Sequence, residues 1–254
     1  MLSIVVPVWN EAQTIGSVLA RLTAALPHVA KQIIVVDDCS TDGTREWLRR
    51  NFSNGAWGTR IVVNPDGTLD SAASDGAEVT VQVIFHDVNK GKGAALRTGF
   101  AAATGAVVVI QDADLEYDPN DWVAMYDLIA VRKVADVVYG SRFHGRPHRS
   151  LFYHHYLGNR LLSTLFNACF NQTLTDIETC YKMMTREVLG SLRLTADDFG
   201  IEVEISAQIA KQRELRIYET GISYYGRTYA EGKKIDWKDG LKAVWYILKF
   251  RLTG

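Results

Sequence analysis

The stretch AVVVIQDADLEYDP, residues 106–119, runs from four consecutive β-branched residues into three carboxylates in alternation, Asp112, Asp114 and Glu116. A strand that is apolar at every position, rather than at every second one, is buried on both faces, as in a parallel sheet covered by helices. The carboxylates then stand where such a strand leaves the sheet. The same grammar recurs on either side. LSIVVPV (2–8) leads into Trp9-Asn10-Glu11, and QIIVVD (32–37) into Asp38 and the turn signal of DCSTDGT. VTVQVIF (79–85) leads into Lys90-Gly91-Lys92-Gly93, and ADVVYGS (135–141) into Arg142. Between these runs the apolar spacing turns helical: Ile15, Val18, Leu19 and Leu22, then 45–50, 94–103 and, after Asp118-Pro119, 122–131. The pattern predicts an α/β fold, a mostly parallel sheet with helices on both faces.

Past residue 150 the chain becomes richer in helix. A long amphipathic helix is expected from Phe152 to Phe170, a strand at CYKMM, a helix through EVEISAQIAK, a strand at RIYET and a terminal helix over 236–250. Residues 53–78 break the rhythm with Gly, Asn, Asp and Ser, and read as a polar insertion with a small hairpin at RIVVNPDGT. No internal repeat or linker-like tract divides the chain. It reads as one domain over 1–254, with an α-rich elaboration after residue 140.

The 254 residues are 47% hydrophobic and 22% charged, which excludes a disordered chain. Three scattered cysteines fit neither a disulfide scaffold nor a zinc site. No apolar run reaches the ~20 residues of a membrane span, and the N-terminus has no basic leader. A reducing, cytoplasmic setting is the expectation. The net charge of −1 conceals a division: residues 1–140 hold 11 Lys+Arg against 17 Asp+Glu, and the remainder 17 against 12. An acidic half beside a basic half suits a site with a cation on one side and anions on the other. It also disfavours nucleic acid, which wants a continuous basic face.

In open α/β sheets ligands gather at the carboxyl ends of the strands. Carboxylates clustered there repel one another unless a cation offsets them, and hard oxygen donors suit Mg²⁺ or Mn²⁺ held together with a ligand's phosphates. Asp112, Asp114 and Glu116 are the expected metal ligands; a solvated loop is the alternative for such a short pattern. Arg142, Arg146, Arg149, Arg227, Lys233 and Lys234 supply cations, and guanidinium forks match phosphate oxygens. Neither GxGxxG after the first strand nor GxxxxGK[ST] is present, which disfavours a dinucleotide fold and excludes a P-loop.

Taken together, PVWNE (7–11), VVDDCSTDGT (35–44), NKGKGAALRTGF (89–100), QDADLEYDP (111–119) and GSR (140–142) resemble glycosyltransferase family 2 over nearly the whole chain. GSRF and YYGRTYAEGKK (224–234) are similar to its dolichyl- and polyprenyl-phosphate sugar synthases. The resemblance implies a GT-A fold in which 1–140 binds a nucleotide-sugar and metal and 141–254 the acceptor. It implies that Pro7, Trp9 and Glu11 hold base and ribose, that Val36 and Asp38 contact the base, and that Asp112, Asp114 and Glu116 carry the divalent ion. Arg227 and Lys233 would embrace the diphosphate, although Ala230 and Gly232 replace the Gly and Ser usual in that element, and Glu116 stands where Gln is frequent.

The implied reaction is one inverting displacement of a nucleoside diphosphate from a hexose, of GDP-mannose or UDP-glucose type, by a polyprenyl or dolichyl phosphate. A phosphate monoester is already largely ionised at pH 7 and needs no base; Arg142 and Arg149 are the expected grip on it. With a sugar hydroxyl as acceptor, the alternative reaction, Asp176 or Glu178 is the base to test; Asp176 also suits a helix cap or turn. A lipid acceptor requires membrane access. Phe152, Tyr153, Tyr156, Leu157, Leu161, Leu165 and Phe166 form one apolar stripe, and Trp237, Leu241, Trp245 and Leu248 another among lysines. Each suits either core packing or an anionic membrane surface. Peripheral attachment to the inner face of the membrane, directly or through a separate membrane protein, is the expectation.

Overall fold

β1 (Leu2–Val8) lies near the middle of the sheet, with Leu2, Ile4, Val5 and Val6 fully enclosed. Burying each such side chain contributes about 1.5–3 kcal/mol, so this strand anchors the core. The computed structural model describes residues 1–52, 61–63, 69–71, 77–145, 147–150, 152–228 and 237–253. After β1 come α1 (Ile15–Ala24), β2 (Lys31–Asp37), α2 (Thr44–Phe52), β3 (Ile61–Val63), β4 (Leu69–Ser71), β5 (Val79–Phe85), α3 (Lys92–Ala102) and β6 (Val107–Ile110). Then follow α4 (Trp122–Tyr126), β7 (Val137–Ser141), α5 (Tyr153–Phe170), β8 (Lys182–Thr185), α6 (Arg186–Ser191), α7 (Gly200–Lys211), β9 (Ile217–Gly221) and α8 (Trp237–Leu252).

Seven strands form one sheet in the order β5-β2-β1-β6-β8-β7-β9. β8 alone runs against its neighbours, pairing antiparallel with both β6 and β7. The other six are parallel, so their carboxyl ends share one edge. The reversal of β8 has a functional consequence: its leading segment, residues 176–181, enters the sheet from that same edge. Helix α3 packs on the sheet through Gly99, where a Cβ would fall 2.3 Å from Val5 Cγ1 and 3.4 Å from Val36 Cγ2.

The expected elements are present with shifted boundaries. The first helix starts at Ile15 and not directly after β1, because Asn10 adopts φ 55° and Glu11 O accepts from both Thr14 N and Ile15 N in an intervening turn. The segment 122–131 is α4 continued by a wider turn, with Arg132 N bonded to Asp127 O five residues back. In the insertion, β3 pairs antiparallel with β4, placing Ile61 opposite Ser71. The hairpin therefore closes just beyond the expected span, and its tip lies outside the described residues. The short α6 was not anticipated; the Thr185 hydroxyl accepts from Val188 N at its start.

Candidate active site

The edge where the six parallel strands end gathers the acidic residues. Asp37 accepts from Arg45 Nε at 2.6 Å, and Arg45 also reaches the His86 carbonyl. Asp38 is buried and accepts from His86 Nδ1 at 2.7 Å, Lys90 N at 2.9 Å and Gly91 N at 2.7 Å. It therefore fixes the 86–91 loop, where a direct contact with a base was expected. Val36 corrects another expectation. It sits inside β2 between β1 and β5 with no exposed surface, beneath Gly99, so its side chain has no face to offer a base. Trp9, just past the end of β1, is 46% exposed, and Pro7 is half-buried.

Beyond β6 the carboxylates meet cations. Arg227 donates from Nη2 to Asp114 Oδ2 at 2.8 Å and from Nε to Glu116 Oε1 at 3.1 Å, and its Nη1 lies 3.6 Å from Glu11 Oε1. Glu116 accepts in addition from Arg227 N at 3.0 Å and from the Tyr224 hydroxyl at 2.9 Å. Asp112 pairs with Lys92 Nζ at 2.8 Å. Burial and the neighbouring charges of Asp112 and Glu116 push the Asp114 carboxyl up to about 7. Burial alone would lower the Arg227 pKa, but Asp114, Glu116 and Glu11 hold it above the usual arginine value.

The three expected metal ligands thus do not converge here, because Glu116 is committed to the 224–227 loop and Asp112 to Lys92. Among the described residues no three carboxylate, imidazole or thiolate groups form a metal-binding set. The donor chemistry of Asp112 and Asp114 still fits a hard divalent ion: Mg²⁺ is commonly held by one or two carboxylates plus ligand phosphates. The raised proton affinity of Asp114 comes first from burial and then from the charges of Asp112 and Glu116, and a bound cation would offset both.

On the basic side, Arg142 and Asp176 form a two-pronged pair, Nε to Oδ2 and Nη2 to Oδ1, both at 2.7 Å, and Arg142 N donates to Asp176 Oδ2 at 3.1 Å. Asp176 is fully buried. Its carboxylate is spent on orienting Arg142, so action as a base would first require that pair to break. Arg142 also lies over the Tyr224 ring, 5.3 Å from its centroid. Burial would lower the Arg142 pKa, but Asp176 and Tyr117 carry it well above the usual value. Exposed Arg149 donates to Gly226 O at 3.2 Å, one residue before Arg227. Arg142 and Arg149 therefore flank the same 224–227 loop that carries Arg227 into the carboxylates. Arg146 and Lys233 lie outside the described residues.

Lys92, Glu202 and Lys182 were missed as site residues. Lys92 joins Asp112 to Glu202 Oε1 at 3.0 Å, and Lys182 Nζ joins Glu202 Oε2 at 2.5 Å. Burial opposes the charge on Lys92, but Asp112 and Glu202 raise its pKa well above the usual lysine range. The available signal was Glu202 itself, an acid on the apolar helix GIEVEISA, since buried acids are seldom without a partner.

The model of the family described as Glycosyl transferase family 2 matches residues 3–80 and 64–193. Glycosyltransferase AglJ of Haloferax volcanii is 29% identical over 234 residues, covering 92% of this chain and 66% of that protein. Dolichol-phosphate mannosyltransferase of Pyrococcus furiosus is 24% identical over 252 residues, covering 98% of this chain and 64% of that protein. The chain spans just under two thirds of the length of both these curated relatives. Among solved structures, glucosyl-3-phosphoglycerate synthase from Mycobacterium tuberculosis in complex with Mn²⁺, UDP-glucose and phosphoglyceric acid superposes with a TM-score of 0.70. It is 19% identical, and the match covers 99% of this chain and 79% of that one. With a family match across most of its length and six parallel strands ending at one carboxylate-lined edge, the chain belongs to glycosyl transferase family 2 and has the GT-A fold.

Proposed function

We propose that the protein is an inverting hexosyltransferase that moves a sugar from a nucleoside-diphosphate donor of GDP-mannose or UDP-glucose type to a polyprenyl or dolichyl phosphate. The observation that carries this reading is the position of Arg227 among Glu11, Asp114 and Glu116, with Arg142 and Arg149 on the other side of the loop. A diphosphate needs cations beside metal-binding carboxylates, and a phosphate acceptor needs separate cations next to them; both sets are present. The named relative from Pyrococcus furiosus supports a lipid-phosphate acceptor.

Asp112 and Asp114 would hold Mg²⁺ or Mn²⁺, which when bound supplies charge neutralisation to the departing diphosphate. Arg227 would shift from the carboxylates to the diphosphate, joined by Lys233, and stabilise negative charge as the glycosidic bond to the nucleotide breaks. Trp9 would stack on the base, with Pro7 and Glu11 toward base and ribose. Arg142, aligned by Asp176, and Arg149 would position the acceptor phosphate in line with the anomeric carbon. Transfer to a sugar hydroxyl is the second reading; the engagement of Asp176 by Arg142 disfavours Asp176 as its base and leaves Glu178 for that role.

A bilayer acceptor calls for a membrane-facing surface. Tyr153, Tyr156, Leu157 and Leu161 on α5 are exposed, as are Leu241, Trp245, Leu248 and Leu252 on α8, and the two helices pack together. Lys242, Lys249 and Arg251 accompany the α8 stripe. Such a face suits the inner, anionic surface of a membrane. Among the described residues no helix is long and apolar enough to cross one. The test is a panel of UDP- and GDP-sugars with a short polyprenyl phosphate and Mg²⁺ or Mn²⁺. Lipid-dependent release of nucleoside diphosphate from one donor, abolished in Asp114→Ala, is the expected result. Release that depends on a soluble sugar instead would establish the second reading.

A further inference from the structure

Glu178 has no partner among the described residues. It sits in the turn between Asp176, which holds Arg142, and Thr179, whose carbonyl accepts from Lys182 Nζ. Two cations are therefore close at hand, yet neither pairs with it. Arg142 is taken by Asp176, and Lys182 by Glu202 and the Thr179 carbonyl. Oε1 of Glu178 is buried without a hydrogen bond, and so is Oγ1 of the next residue, Thr179. The residue as a whole is nonetheless partly exposed, unlike Asp176 and Thr179 on either side of it. Leaving a buried polar atom unsatisfied costs about 1–3 kcal/mol, and two at consecutive positions need an explanation.

Their position supplies one. On one side the chain Lys182–Glu202–Lys92–Asp112 leads to the carboxylates assigned to the metal and diphosphate. On the other, Arg142 is assigned to the acceptor phosphate. The group that passes between diphosphate and acceptor is the hexose, and its hydroxyls are what an unpaired carboxyl would bind. We propose that Glu178 hydrogen-bonds hydroxyls of the transferred sugar and is a specificity-determining residue for the donor. This inference rests on the reading of the protein as a nucleotide-sugar transferase. Desolvation, with the nearby charge of Glu202, raises the Glu178 carboxyl to about 7 against the lowering effect of Lys182. Near neutral pH it can then donate as well as accept, which matches a hydroxyl that does both.

The experiment compares wild type, Glu178→Gln and Glu178→Leu in calorimetric binding of UDP and GDP without sugar, then of UDP-glucose, UDP-galactose, UDP-N-acetylglucosamine and GDP-mannose. Turnover of each donor with a short polyprenyl phosphate is measured in parallel, and thermal melting verifies folding. Nucleoside diphosphate affinity within about twofold of wild type is expected for both variants. Glu178→Leu should lose about tenfold to a hundredfold in kcat/KM for the preferred donor, and Glu178→Gln should change the ranking of the donors. The inference is overturned if every donor keeps its kcat/KM within about twofold and the ranking stands. It is also overturned if UDP or GDP affinity falls by the same factor as that of the sugar nucleotides, which would mark a structural role. If wild type turns over no nucleotide-sugar, the donor reading itself fails and this inference falls with it; turnover by wild type that both variants reproduce sinks the inference alone.

Discussion

Arg142 and Asp176 meet fork to fork at 2.7 Å on both prongs, with the carboxylate fully buried and the guanidinium partly open. The two groups differ in consequence. Asp176 holds Nε and Nη2 of Arg142, and Nη1 is the prong outside that pair. Arg142→Lys removes the planar fork while keeping the charge, and is expected to lower kcat/KM for the lipid phosphate about tenfold to a hundredfold without changing the KM for the donor. Asp176→Asn leaves a buried guanidinium without its counter-charge and should destabilise the fold by about 3–5 kcal/mol. Steady-state kinetics and urea denaturation check both. Unchanged stability in Asp176→Asn, with a lost basic limb in the pH–rate profile, would instead identify Asp176 as a base.

A pH dependence follows from Asp114, whose carboxyl burial and the charges of Asp112 and Glu116 push up to about 7. A divalent ion takes the ionised form, so protons compete with it below that value. Mn²⁺ affinity is expected to fall about tenfold per unit as pH drops below 7 and to level off above it, as titration calorimetry would report. The metal-free protein responds in the opposite sense. Its folded pKa exceeds the ordinary value of 3.8, so between those two values the folded state holds a proton that the unfolded chain has released, and stability declines as pH rises. Asp114→Asn should abolish both effects, and turnover with them.

The first turn of α3 depends on close backbone approach. A Cβ on Gly93 would lie 2.2 Å from Ala196 O, and Gly93 N already donates to Asp197 O at 2.7 Å. Gly93→Ala must push apart the two segments that bring Lys92 to Glu202. A loss of about 1–3 kcal/mol in denaturant unfolding is expected, with weaker donor binding. Gly158 in α5 has open space around a would-be Cβ. Gly158→Ala should therefore stabilise by about 0.5–1 kcal/mol, and equal effects at the two positions would contradict the packing argument.

The sheet was legible in the sequence because burial on both faces leaves continuous runs such as VVVI at 107–110, and each run ends in a change of chemistry. The site was legible only as far as residue type goes. Asp112, Asp114, Glu116, Arg142 and Arg227 could be selected as charged residues at strand ends, but their pairing could not. Arg227 is separated from Asp114 by 113 positions, and Asp176 from Arg142 by 34, so neither contact leaves a local pattern. Val36 was misassigned because a motif does not distinguish a residue that faces the ligand from one that supports its neighbour. Lys92 stood out only as part of a Gly/Lys loop after a strand, and nothing local shows that its side chain carries the link to Glu202. The antiparallel entry of β8, which delivers residues 176–181 to the site, has no signature in four residues of strand.

The outward stripes of α5 and α8 lead to the last prediction. Each helix already buries a separate apolar set, Leu162 and Phe166 on one, Ala243, Ile247 and Phe250 on the other. The outer set is therefore not needed to hold the helices to the sheet. Leu161 and Trp245 are 66% and 55% exposed, and replacing either with a charge removes nothing from the core. Leu161→Glu with Trp245→Glu should leave thermal melting within about 2 °C of wild type, since surface changes seldom exceed about 0.5 kcal/mol. Sedimentation with vesicles containing anionic phosphatidylglycerol should be lost, because apolar insertion and attraction to the headgroups fail together. Turnover of a water-soluble short-chain prenyl phosphate should persist while turnover of a long-chain acceptor in vesicles falls. Equal loss with both acceptors would place the two helices in the catalytic machinery and not at a membrane surface.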